Sequence, residues 1–356
     1  VHADRIWFVN DADQQVYELN DGQVVQQTDE TGCRYADLQY NSRHQCLYAI
    51  REAHGRAGSK EPVNELVRIQ DRQVSVVAAG DDFYAGPAVS ADRKQLAWLS
   101  WNHPDMPWDQ TTLWLGDIDN AGNIVNPRKL VEAEGQSVFQ PSWSEDGRLY
   151  FISDAAGWWQ LYRLDDCGDK DSVTQVCDYE AEMGLPLWQF GMRSYVFQDP
   201  DRVIATLCEQ GLWRLVRVCT NTGEVEPVQT PYNSFTSLAA DSERVSVIAA
   251  GTERTDEVAM IDLDNDELGL CMDAKPLPVA KEWISSAQPV SFPSSDGDVA
   301  HGFYYPPRNP DAEPLADELP PLLVMTHGGP TAATLASLNM KTQFWTSRGF
   351  AVLDVN

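Results

Sequence analysis

Residues Pro141-Ser-Trp-Ser-Glu-Asp-Gly-Arg-Leu-Tyr-Phe-Ile-Ser-Asp154, followed by Gln160-Leu-Tyr-Arg-Leu-Asp165, hold the pattern that decides the fold. A polar turn at Asp146-Gly147 runs into an apolar strand, a loop follows, and a second strand alternates apolar and polar residues. Asp-Gly supplies the positive φ of a tight hairpin turn. A run rich in Leu, Tyr and Ile suits a strand buried between neighbouring sheets. The unit recurs. Ser90-Ala-Asp-Arg-Lys-Gln-Leu-Ala-Trp-Leu-Ser100 with Thr112-Leu-Trp-Leu-Gly-Asp117 is a second copy, and Asn41 to Arg51 with Glu65-Leu-Val-Arg-Ile69 a third. Ala240 to Ala250 with Glu257-Val-Ala-Met-Ile-Asp262 is a fourth. Arg202-Val-Ile-Ala-Thr-Leu207 with Trp213-Arg-Leu-Val-Arg-Val218 diverges more, and Ile6 to Val9 with Gln15-Val-Tyr-Glu-Leu19 is a partial copy.

A period of roughly 40 to 55 residues with several strands per unit is the signature of propeller blades, which stack because no blade buries its faces alone. Alternation with period two excludes a helical solenoid. The repeats stop near Met272, and a proline-bearing stretch from Lys275 to Pro289 reads as a linker. Ser291 to Pro307 reads as two short strands around an Asp296-Gly297 turn. The pattern then changes. Pro321-Leu-Leu-Val-Met-Thr326 is a continuous apolar run, the mark of a strand buried on both faces in a parallel sheet. His327-Gly-Gly-Pro330 breaks it, Ala332 to Arg348 has helical character with Gly349 as its stop, and Phe350-Ala-Val-Leu-Asp-Val355 is another buried strand. Strand, helix and strand in this order read as the first crossover of an α/β domain.

Composition narrows the function. The 356 residues carry a formal charge of −28, which argues against nucleic acid or anionic lipid as a partner, since both are bound through clustered Lys and Arg. A hydrophobic content of 43% supports a packed core. No apolar run approaches ~18 residues, so no membrane span is expected, and no secretory signal is visible at Val1 to Asn10. The seven cysteines form no Cys-x-x-Cys pair, which speaks against zinc and redox motifs. Cys208 and Cys219 are the pair placed to face one another across a hairpin; reduced thiols and a cytoplasmic protein are the expectation.

Taken together, the segments Phe139 to Gly147, Ser153 to Tyr162, Asn102 to Asp109 and Ser295-Asp-Gly297 resemble the prolyl oligopeptidase family of serine peptidases. So do His327-Gly-Gly-Pro-Thr331 and Gln343 to Asn356, and the acylaminoacyl-peptidase and dipeptidyl-aminopeptidase-like branch is the nearest in pattern. The resemblance covers nearly the whole chain and implies a mainly β fold: six visible blades of a seven-bladed β-propeller, then the first strands and helix of an α/β-hydrolase domain. Residues 1–283 are expected to be the propeller, with its first blades missing, and residues 284–356 the start of the peptidase domain, stopping before the nucleophile. No Gly-x-Ser-x-Gly elbow occurs in the chain. The resemblance therefore implies a serine peptidase fragment that lacks Ser, Asp and His of the triad and is itself inactive. Its parent would cleave short peptides from the amino end, with no cofactor and no metal. Beside short peptide substrates, the partner readings are pairing with the remaining hydrolase part or with a second copy of the chain.

Within that frame Gly328 and Gly329 are either a plain strand-to-loop turn or the candidate oxyanion-loop amides, since glycine allows close approach of the substrate carbonyl, and the resemblance puts Gly329 first. His327 belongs to this loop and is not drafted as the triad base. Trp108 and Trp159 either pack between blades or line the path of peptide side chains. Glu182 and its neighbour Glu180 lie on a connection between blades, as solvated charges or as the holder of a peptide's free α-amine. His44, His54, His103 and His301 show no metal-ligand spacing. Two other functions stand beside the peptidase: a propeller scaffold that binds partners without catalysis, and an esterase on the same core. The oxyanion-type loop favours an enzyme, and the long propeller favours a peptidase.

Overall fold

A computed structural model describes residues 1–55, 61–167, 169, 172–272, 276–295, 297–313, 318–329 and 331–356. These divide into two compact units, residues 1–178 with 184–192, and residues 179–183 with 193–356.

The first unit holds four antiparallel sheets whose strands follow chain order. They comprise β1 (Ile6–Val9), β2 (Val16–Asn20) and β3 (Gln23–Gln26); then β4 (Cys33–Asn41), β5 (Cys46–Ala53), β6 (Val63–Gln70) and β7 (Gln73–Ala78). The third sheet has β8 (Phe83–Val89), β9 (Gln95–Trp101), β10 (Thr112–Ile118) and β11 (Ile124–Val131). The fourth has β12 (Val138–Trp143), β13 (Leu149–Ser153), β14 (Gln160–Leu164) and β15 (Val173–Gln175). The second unit adds two more such sheets: β16 (Tyr195–Asp199), β17 (Arg202–Glu209), β18 (Leu212–Cys219) and β19 (Val225–Pro227), then β20 (Ser234–Ala240), β21 (Arg244–Gly251), β22 (Arg254–Asp262) and β23 (Leu268–Leu270). The repeated sequence units are therefore repeated sheets, the partial copy at the start having three strands.

Turn chemistry closes the hairpins. Asp21 and Gly22 take φ values of +49° and +73° between the paired residues Asn20 and Gln23. Asp71 and Arg72 do the same at +50° and +63°, although neither is glycine. The apolar faces meet between consecutive sheets. Tyr48, Ile50 and Leu66 pack with Tyr84, Leu96 and Trp98; Leu99, Leu113 and Leu115 with Val138, Leu149 and Phe151. In the second unit, Ile204 and Leu215 pack with Val245, Val247 and Ile261. Burial between sheets supplies most of the stability of such an array.

Two devices recur. The first strands β4, β8, β12 and β20 each carry a bulge, at Asp37, Gly86, Gln140 and Ser237, with φ between +51° and +62°. The N–H of Gly86 donates to Asp37 Oδ2 at 2.7 Å, tying neighbouring bulges together. The third strands repeat an arginine: Leu66-Val67-Arg68-Ile69, Leu161-Tyr162-Arg163-Leu164 and Leu215-Val216-Arg217-Val218. Arg68 donates to the C=O of Ala121 and Arg217 to the C=O of Leu263, each in the turn between third and fourth strands of the next sheet. Met260 stands at the matching place in the sixth sheet. Arg217→Met is expected to destabilise the chain by about 1.5 kcal/mol, the worth of a hydrogen bond from a charged group. The check is a lower urea midpoint; an unchanged midpoint would show that the tie contributes nothing.

After the sixth sheet, a mixed sheet forms from β24 (Gln288–Pro293), β25 (Val299–Tyr305), β26 (Leu322–Thr326) and β27 (Ala351–Val355), in the order β24-β25-β27-β26. β26 and β27 are parallel and joined through helix α1 (Met340–Thr346). The helix is shorter than the expected span 332–348. Asn339 caps it, its side chain accepting from the Lys341 N–H, and the backbone before it is bonded to Asn356, just past β27, and to Gly251 of β21 instead of to its own turn. β26 also departs from the expected two-sided burial. Leu323 and Met325 pack with Phe303, Tyr305, Val352 and Trp345 of α1, whereas Leu322 and Val324 are 54% and 55% exposed. One crossover helix covers one face, so the other stays open.

The hairpin register also moves Cys208 and Cys219 apart: Cys208 pairs with Trp213 and Cys219 with Arg202, and among the described residues no cysteine is in a disulfide. Among the described residues no helix is long and apolar enough to cross a membrane. Asp296 of the expected turn and Lys275 of the expected linker lie outside the described residues.

Candidate functional site

At the end of β26 the parallel strand runs into His327, Gly328 and Gly329; Pro330 lies outside the described residues. Both glycines are exposed, and a Cβ built on either would meet nothing within 4 Å. Gly329 adopts φ +78°, which an L side chain rarely tolerates. The loop thus lies exposed beyond the carboxyl end of a parallel strand, where α/β sheets place their sites. The Nδ1 of His327 and the Oγ1 of Thr331 are buried with no hydrogen-bond partner among the described residues.

On the far edge strand β24 and its neighbour β25, at the same end of the sheet, a serine and a histidine are in contact. Ser291 and His301 are cross-strand partners, with Oγ 2.9 Å from Nδ1. This is the spacing of a nucleophile and its base. Among the described residues no carboxylate is hydrogen-bonded to the other ring nitrogen, so nothing fixes the tautomer, and Ser291 is exposed. The pair has two members of a triad arrangement and lacks the third.

Glu182 is half-buried, and its backbone extends the first strand of the fifth sheet: its N–H donates to the C=O of Cys208 at 3.1 Å and its C=O accepts from the Cys208 N–H at 2.8 Å. Glu180 is exposed. Gly328, Gly329 and Glu182 belong to the second unit, Trp108 and Trp159 to the first.

In the first unit the loops after the second strands of the third and fourth sheets carry the tryptophans. Trp159 is edge-on to Phe139 at 6.3 Å and lies so close to Gly184 that a Cβ there would sit 2.4 Å from its ring. That tryptophan packs. Trp108 instead lies 4.4 Å, ring to ring, from Trp188, which is 56% exposed. The stretch 184–190 is anchored by Gly184 on Trp159 and by Leu187 against the core, and so presents Trp188 and Phe190 outward. Sequence reading missed Trp188. Its segment, Gly184-Leu-Pro-Leu-Trp-Gln-Phe190, has no strand pattern, and an aromatic there gives no sign of its neighbour 80 residues earlier. Loops of the same kind in the second unit meet the mixed sheet: a Cβ on Gly211 would lie 3.5 Å from Phe303, and Gly251 accepts from the Leu338 N–H. Among the described residues no group of three His, Cys, Asp or Glu is placed to hold a metal.

No family model matches the chain, and no curated protein matches it. Solved structures do. A puromycin hydrolase matches with TM-score 0.90 and 28% identity over 100% of this chain and 57% of its own. A puromycin-hydrolyzing peptidase of Mycobacterium tuberculosis matches with TM-score 0.89 and 29% identity, over 99% of this chain and 56% of that one. Porphyromonas gingivalis dipeptidyl peptidase 4, at 11% identity and TM-score 0.69, covers 99% of this chain and 56% of its own and shares the fold alone. The chain spans a little over half the length of these structures. Six repeated antiparallel sheets with these likenesses define a β-propeller protein. The likeness over the whole chain supports the N-terminal propeller of the prolyl oligopeptidase family as what these repeats are similar to.

Proposed function

We propose that residues 1–283 are the propeller and residues 284–356 the opening of the α/β-hydrolase domain of a serine peptidase that releases residues or short units from the amino end of small peptides. The observation that carries this is the exposed loop of Gly328 and Gly329 directly after a parallel strand, in a chain whose repeats are similar to this family's propeller. In the reaction, a serine activated by histidine attacks the scissile carbonyl, and the N–H of Gly329 receives the developing oxyanion. The serine, its base and the orienting acid are taken to lie outside residues 1–356, since no Gly-x-Ser-x-Gly occurs within them. The exposed face of Leu322 and Val324 is then the place for the rest of the hydrolase. The propeller excludes folded proteins by size, and cysteines outside any disulfide go with a cytoplasmic setting.

The relatives' puromycin is an aminoacyl amide with an aromatic side chain and a free amine. This supports amino-end cleavage here, with Trp108 and Trp188 as the platform for an aromatic residue, and the −28 charge of the chain favours a substrate that carries an ammonium. The test is hydrolysis of aminoacyl, dipeptidyl and acyl-aminoacyl anilides by the full-length protein, with fluorophosphonate as the inhibitor. Turnover of none of them would sink the peptidase. For the platform, Trp188→Ala is expected to raise KM for a phenylalanyl anilide by about tenfold, the worth of one aromatic contact, and to leave the alanyl anilide nearly unchanged. An equal change for both would remove Trp188 from recognition.

A further inference from the structure

An oxyanion donor acts only if its N–H is held in place before the substrate arrives. A Cβ at Gly328 or Gly329 would meet nothing within 4 Å, so no packed side chain shapes the loop there and its two ends hold it. One end is Thr326, in the ladder with Val355. The other is the segment that returns to α1. There the N–H of Thr334, 7% exposed, donates to Asn356 Oδ1 at 3.0 Å. The buried Ala336, packed with Phe303, Tyr305 and Val352, accepts through its C=O from Asn233 Nδ2 at 3.4 Å. The N–H of Leu338 then donates to the C=O of Gly251 at 2.9 Å.

These three partners come from two places. Asn356 follows β27 in the mixed sheet, while Asn233 precedes β20 and Gly251 ends β21, both in the sixth propeller sheet. The propeller side is itself braced. Asn233 donates its own N–H to the C=O of Ala250 at 2.9 Å, and Gly251 pairs with Arg254 to close the β21–β22 turn. A Cβ on Gly251 would sit 2.7 Å from the C=O of Pro231, so only glycine brings this carbonyl to Leu338. At the same turn Glu253 is held by Lys281 at 2.6 Å and by Ser286 at 2.9 Å.

We propose that Asn356, Asn233 and Gly251 are positioning residues for the Gly328–Gly329 loop, so that the sixth propeller sheet sets the geometry of the amides offered to substrate. The inference rests on the oxyanion reading of that loop. It makes this propeller sheet part of the catalytic apparatus as well as part of the gate. A shift of β21 against the mixed sheet moves the loop through Leu338 and Ala336.

Two measurements test it. In the 356-residue chain, Asn356→Ala is expected to speed hydrogen exchange at the Thr334 amide by about tenfold or more, while amides of β21 keep their protection. Asn356→Asp, which keeps an oxygen acceptor, should restore protection. Asn233→Ala should loosen Ala336 to Leu338 by the same measure. In the full-length protein, Asn356→Ala and Asn233→Ala are each expected to lower kcat by about tenfold with KM unchanged, and Asn356→Asp to recover most of the loss. Faster exchange with wild-type kcat would overturn the proposal, as would an Asn356→Asp variant as impaired as Asn356→Ala. A full-length protein that cleaves no aminoacyl or acyl-aminoacyl anilide would instead end the peptidase reading. The clamp itself would still be upheld by loss of protection in the alanine variants.

Discussion

In the full-length protein, Gly329→Val is expected to lower kcat by about 10²-fold or more, with little change in KM. Gly329 stands at φ +78°, where a β-branched residue is strongly strained. Valine can be accommodated only by rotating the adjoining peptide planes, which turns the Gly329 N–H away from the oxyanion. The loop is exposed and a Cβ meets nothing there, so the fold should survive the change. Gly328 supplies the control. It does not take a left-handed φ, and a Cβ on it is equally free of contacts, so Gly328→Ala is expected to keep kcat within about threefold. Steady-state kinetics on the two variants, with thermal unfolding as the check on folding, separates a loop that stabilises charge from one that merely turns. Wild-type kcat in Gly329→Val at unchanged stability would assign the loop to structure alone.

The repeat was legible because its physics is local. Asp146-Gly147 makes a turn by its own backbone preference, and strands such as Leu149 to Ser153 announce themselves by composition and alternation. The same holds for β26, the Gly328–Gly329 loop and β27, where a buried-type run meets a glycine pair. What stayed hidden is long-range. The bulges at Asp37, Gln140 and Ser237 need a positive φ from residues that do not advertise one; only Gly86 hints at it. The length of α1 depended on where the backbone of Thr334 to Leu338 found its partners, and those lie in or next to other strands. The two-sided burial read from Leu322 to Thr326 was a property of a whole parallel sheet, whereas β26 here has one neighbour strand and one covered face. Trp188 belongs to the same class. Nothing in Gly184 to Phe190 predicts that a tryptophan from another loop stands beside it.

Residues 1–356 alone are expected to hydrolyse no aminoacyl or acyl-aminoacyl anilide and to take no label from a fluorophosphonate. The geometry gives this prediction a specific rival, because Ser291 and His301 are already in hydrogen-bond contact in the sheet that carries Gly328, on its opposite edge. Contact is not activation. A serine becomes nucleophilic when the histidine beside it is held in one tautomer by a third group and when donors await the oxyanion. The ring of His301 has no such carboxylate among the described residues, and its serine contact lies on two antiparallel strands with no strained elbow to lift the hydroxyl toward a substrate. Removing a triad serine costs on the order of 10⁶-fold in rate, so even weak activity would stand out against the expected zero. The assay is labelling and turnover with the purified 356-residue chain, repeated with Ser291→Ala. Labelling that disappears in Ser291→Ala would make this pair the nucleophile and place the active site within the chain. In the full-length protein the same substitution should leave kcat/KM unchanged, which sets Ser291 and His301 as a surface pair and leaves the chemistry to a serine that follows a nucleophile elbow elsewhere.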